Sequence, residues 1–255
     1  MPVLLASCRV AGVATFAPAL AGAAVPVRVR AALALALAAL AAPAAVRAGI
    51  PELAVSEPWR LAPTALVEFA LGAVIGTVAM LPVAAFRTAG ALAGMQMGIG
   101  FGAACGASDS SESDGASEPI AHALAILAVA IFVWAGGLDA VALSTLRSFD
   151  FVALGAWSPG AGATAVMTGA MLSASDLAFR VALPVTVVLV TEALLSGFVA
   201  RALPGVALLS FGFPVRMGVG LLALLAGAAA MQSAMSGAVA TLLDSIHAAV
   251  AGGAP

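Results

Sequence analysis

Lysine and tyrosine are both missing from this 255-residue chain, cysteine and histidine occur twice each, and charged residues make up only 9% of it. Charge this sparse excludes an ordinary solvated surface, since soluble domains carry about 25% charged and about 45–50% apolar residues. Here 63% of residues are hydrophobic and the mean hydropathy is +1.16. One soluble core cannot hide that much apolar surface, so membrane lipid or protein partners must cover it. A net charge of -2 leaves no basic footprint for nucleic acid. Cys8 and Cys105 make neither a metal-binding spacing nor a disulfide framework. Without tyrosine, interfacial aromatics have to come from Trp59, Trp134, Trp157 and the phenylalanines. His122 and His247 lie far apart with no nucleophile nearby. No paired acids and no metal set remain, so the chain reads as a non-enzyme without a cofactor.

What is present is helix. Apolar segments cover roughly 3–20, 27–45, 63–85, 120–138, 177–203 and 214–231, the last continuing as a more polar helix to about 250. Most approach the ~20 residues needed to cross a bilayer. The alternation of barrel strands is missing, so backbone satisfaction in lipid demands helices. The fold expected is all-α, with about six apolar helices in membrane-associated hairpins. The third segment is anomalous: it stays apolar and glycine-rich through Phe101, about 39 residues or about 58 Å of helix, well beyond the ~30 Å hydrocarbon core. Pro82 can kink it, but part of it must lie against protein. Arginine placement gives no inside/outside bias and sets no topology. Arg9 and the apolar run after it imitate a signal peptide; the reading taken is a retained first membrane helix. No composition break separates two domains, so 1–255 is read as one, with N-terminal hairpins over 1–140 and a C-terminal helical hairpin over 141–255.

Few residues stand out. Glu68 and Glu192 lie inside apolar segments, where a carboxylate marks a functional site by default. Each is isolated in sequence, unlike a proton relay, which favours structural hydrogen bonding. Asp176 and Arg180, four apart near a helix start, read as local stabilisation. Gly90, Gly94, Gly98 and Gly102 make a smooth stripe at spacing four that lets another backbone approach closely, and Gly72 and Gly76 repeat the device upstream. The polar stretch 103–118 follows and reads as a mobile loop. It includes Ser108, Asp109, Ser110, Ser111 and Glu112. Met95 and Met97 flank Gln96 just before it, and methionine can seal an irregular gap; the plainer reading of the pair is core.

These stretches carry a resemblance. Met95-Gln96-Met97-Gly98-Ile99-Gly100-Phe101, followed by a polar stretch, resembles the signature region of the FliR family of flagellar biosynthetic proteins. Arg9-Val10-Ala11-Gly12 with Val25-Pro26-Val27-Arg28-Val29-Arg30 looks like that family's opening hairpin. Leu146-Arg147-Ser148-Phe149 followed by Leu154-Gly155 resembles the segment after its fourth helix, and Phe211-Gly212-Phe213-Pro214-Val215-Arg216 the start of its last. The resemblance implies the R-type subunit of a type III protein-export gate in the inner membrane, at the flagellar basal body. P-type and Q-type subunits and the B-type switch subunit would be its partners, and unfolded flagellar proteins its cargo. It also implies that 103–118 corresponds to a plug, with Ser108, Asp109, Ser110, Ser111 and Glu112 as candidates and Met95 and Met97 helping the seal. Ser108-Asp109-Ser110 replaces the family's usual Asp-Pro start. A virulence-type export subunit is the near alternative. A secondary transporter, the more distant one, should show broken helices and converging polar groups at mid-membrane.

Overall fold

A computed structural model describes residues 2–18, 26–47, 61–99, 119–158, 160–202 and 208–251. Among them the regular structure is entirely helical: α1 Pro2–Phe16, α2 Val27–Arg47, α3 Leu61–Met97, α4 Pro119–Trp134, α5 Gly137–Phe151, α6 Ala161–Ala202 and α7 Leu208–Ala251. The all-α class expected from the sequence is what the chain forms. The overlong third helix is there too, at 37 residues, or about 56 Å.

Helix ends follow local chemistry. Beyond α3, Gly98 adopts φ +82°, its N–H donates to the Met95 carbonyl, and the Ile99 N–H donates to that of Gly94. This is a Schellman termination, which needs a residue free to turn left-handed. Ala135-Gly136-Gly137 breaks the fourth apolar segment, expected as one helix over 120–138. Gly136 sits at φ +79°, and α4 and α5 meet at a 64° bend. Pro43, Pro82, Pro184 and Pro214 all lie inside helices, so proline terminates none of these four. α6 begins at Ala161, well before the expected 177. Asp176 therefore sits mid-helix, not at a positive helix end, and its 2.7 Å bridge to Arg180 is largely exposed.

By length and composition α3, α6 and α7 can cross a membrane, and the bent α4–α5 pair adds a fourth possible span. α1 and the apolar stretch of α2 are shorter. The most apolar part of α3 is 56% buried, but that of α7 only 6%.

The chain divides into two compact units, to which α3, α6 and α7 each contribute residues. The first comprises 1–81, 132–173 and 237–255. Within it α1 packs on α2, and α2 touches α5; Leu5, Ala6, Ala41, Phe149 and Leu154 form its buried cluster. The second comprises 82–131 and 174–236, with Ala93, Met97, Val185 and Leu189 at its centre.

Candidate functional site

The first unit encloses a charge. Arg9 on α1 and Glu68 on α3 are both completely buried, and Arg9 Nε donates to Glu68 Oε2 at 2.6 Å. Arg9 Nη1 donates to Ser148 Oγ at 3.0 Å, and Nη2 makes a longer 3.4 Å contact with the Val152 carbonyl. The guanidinium also lies over the Phe149 ring, 4.2 Å from its centroid, a cation–π distance. Glu68 Oε1 accepts the Gly155 backbone N–H at 2.7 Å. All three guanidinium nitrogens and both carboxylate oxygens thus have partners. A buried pair repays its desolvation only when its remaining hydrogen-bonding capacity is met in this way. With each of these nitrogens and oxygens engaged at least once, the cluster reads as a structural pair.

Glu68, isolated in sequence, is therefore one end of an ion pair spanning 59 residues. Ser148, Phe149 and Gly155 had drawn attention only as parts of a family-like stretch, and Arg9 in another and beside a signal-peptide-like run; the fold brings those stretches to one point. The signal available was that two opposite charges, each inside an apolar run, must find each other to be buried. In the connector that follows α5, Trp157 is 5% exposed, and its Nε1 has no partner.

Glycines let α1 reach α3 closely enough to make the pair. A β-carbon on Gly72 would overlap the Arg9 carbonyl oxygen, one on Gly12 the Phe69 carbonyl, and one on Gly76 would sit 2.8 Å from the Val13 carbonyl. Backbone lies against backbone at all three.

In the second unit, the glycines of the stripe behave differently from one another. A β-carbon on Gly90 would come within 2.8 Å of Ala121 Cα on α4, whereas at Gly94 it would meet only the Ile120 side chain, at 3.6 Å. Gly98 has left the helix, and Gly102 lies outside the described residues. Met97 is fully buried while Met95 is 68% exposed. Gln96 donates through Nε2 to Thr186 Oγ1 at 3.1 Å, and its Oε1 is buried without a partner. Ser108, Asp109, Ser110, Ser111 and Glu112 lie outside the described residues.

Glu192 lines a cavity of about 600 Å³ within this unit, between α6 and α7, with walls of Val187, Val188, Leu195, Val215 and Val219. Its Oε2 is buried and unpartnered. His122 is exposed. Among the described residues, no three of histidine, cysteine, aspartate and glutamate gather as a metal site would require.

Compared with known proteins, residues 1–242 match the family described as bacterial export proteins, family 1. No curated protein matches the chain.

Proposed function

The chain belongs to the bacterial export proteins, family 1, which makes it a multi-pass membrane subunit of a type III export apparatus, and from that premise we propose that it is the R-type subunit of a flagellar export gate. In this reading it stands in the inner membrane at the basal body and joins P-type and Q-type subunits around the secretion channel. It also contacts the B-type switch subunit, and unfolded flagellar proteins pass through the assembly. Met97 helps to seal the channel, and the segment 103–118 acts as its plug.

One observation carries the assembly reading. α6 is 42 residues long, about 63 Å, and it exposes large apolar side chains from Met171 to Val199. That run covers about 42 Å at 1.5 Å per residue, longer than the ~30 Å hydrocarbon core. A helix standing along the membrane normal would overshoot the core, and neighbouring protein would cover the excess. The unpartnered Glu192 Oε2 adds to this, since a donor on a neighbouring helix would satisfy it. The flagellar assignment rests on the Gln96-Met97-Gly98 pattern.

Deletion of the chain from its host, with complementation, tests the assignment. A flagellar subunit leaves the deletion strain non-motile, with hook and filament proteins retained in the cell. Intact motility with lost secretion of virulence effectors overturns the flagellar assignment. For the plug, removing 106–115 is expected to leave assembly intact and raise small-solute influx. Unchanged influx at normal assembly rejects it.

A further inference from the structure

Within the second unit, the last turns of α3 are held by contacts that are neither ionic nor backbone-to-backbone. Met97 fills the space that a side chain at position 220 would need: a β-carbon on Gly220 would lie 2.5 Å from Met97 Cε, 2.8 Å from Cγ and 2.9 Å from Sδ. One neutral hydrogen bond joins Gln96 to Thr186. Gly98 turns the chain beside Phe213, whose ring lies 3.3 Å from where a Gly98 β-carbon would stand. Two turns earlier, at Gly90, α3 meets Ala121 backbone to backbone.

We propose that Met97 seated in the Gly220 notch is a releasable latch, which holds the end of α3 on α6 and α7 while the export path is shut and withdraws when substrate passes. The inference rests on reading the chain as an export-channel subunit. The chemistry suits release. Methionine is unbranched with three rotatable side-chain bonds, so Met97 can leave the notch by rotation without dragging backbone. Release breaks one amide–hydroxyl bond and gives up the burial of Met97 against Val185 and Leu189, offset in part because it frees the buried, unpartnered Oε1 of Gln96 to find a donor. The Gly90–Ala121 contact cannot open without moving a whole helix, so movement is confined to the two turns beyond it. Met95, exposed and two residues earlier on the far side of the helix, takes no part.

A reversible lock tests the latch in the assembled apparatus. In a Cys8→Ser, Cys105→Ser background, Met97→Cys and Gly220→Cys are combined. A β-carbon at 220 lies 2.8 Å from Met97 Cγ, so the two β-carbons are at most one bond further apart, below the ~4.5 Å upper limit that disulfides require. Oxidation is expected to cross-link them, stop export of a flagellar substrate and leave the amount of assembled complex unchanged; reduction restores export. Full cross-linking with undiminished export overturns the latch, and so does failure to cross-link, because the notch is then not occupied as described. If the cysteine variants do not assemble, size compensation serves. Gly220→Ala and Met97→Ala should each raise small-solute influx, and the double variant should bring it back toward wild type. A double variant leakier than either single change overturns the proposal. Co-purification of P-type and Q-type subunits from the same cells keeps the two claims apart. Normal assembly with an ineffective lock defeats only the latch, whereas no assembly of the wild-type chain defeats the channel reading beneath it.

Discussion

In the unit built from residues 1–81, 132–173 and 237–255, helix meets helix through touching backbones and a buried ion pair; in the unit of 82–131 and 174–236, α3 meets α6 and α7 through apolar side chains and one neutral hydrogen bond. The first arrangement has one low-energy geometry, because a buried charge left half-paired is very costly and a backbone contact cannot be re-formed one ångström away. The second tolerates sliding and rotamer exchange, since dispersion contacts are individually weak and non-directional. In the proposed channel role, the first would fix the fold and the second would be the part free to move as cargo passes.

The largest effect should come from unbalancing the buried pair. Arg9→Ala or Glu68→Ala strands the other charge and is expected to cost about 3–5 kcal/mol. Replacing both with apolar residues, Arg9→Met with Glu68→Leu, should recover most of the loss. Thermal unfolding of the detergent-solubilised complex reads this directly. Single variants no less stable than the double apolar variant would show that the pair does not hold the first unit together.

Next come the glycines. Gly72→Ala forces a methyl into the Arg9 carbonyl, and overpacking typically costs about 1–3 kcal/mol. With backbone as the obstacle, the upper end is expected. Gly94→Ala, facing only the Ile120 side chain at 3.6 Å, should be close to neutral, while Gly94→Leu should push α4 away and lower assembly. Equal tolerance of Gly72→Ala and Gly94→Ala, measured as complex recovered per cell, would erase the contrast between the α1–α3 contact and the α3–α4 contact at Gly94.

Smaller still is Gln96→Leu, which removes one hydrogen bond and one buried unsatisfied carbonyl together. These effects oppose each other, each about 1 kcal/mol in size, so the melting temperature should barely move. A drop comparable to that of Glu68→Ala would mean that the second unit is held as firmly as the first. Asp176→Ala should matter least, about 0.2–0.5 kcal/mol for an exposed i,i+4 pair.

Helix was plain from the sequence because uninterrupted apolar runs with so little charge allow nothing else in lipid, and α3 was legible to within a few residues at each end. Two boundaries were obscured by attending to hydropathy over turn chemistry. Gly136-Gly137 is a breaker signal inside an apolar run, and Pro159-Gly160 marks the true start of α6. Gly98 was hidden for a related reason. A spacing of four reads as a stripe, yet a glycine just past the last helical residue is also the usual helix stop. The Arg9–Glu68 pair was invisible because its ends lie in different apolar segments and periodicity reports only neighbours within one helix. Its partners Ser148 and Gly155 stood out only inside a family-like stretch, with nothing to tie them to Arg9. The notch at Gly220 depends on which face of α7 meets α3, which an all-round apolar helix does not disclose.

The most direct test of the account is native mass spectrometry of this chain co-expressed with P-type and Q-type export subunits and released from mild detergent. A heteromeric complex containing the chain is expected, with an aggregating, poorly recovered chain when it is expressed alone. A monodisperse, stable monomer that ignores both partners would contradict it.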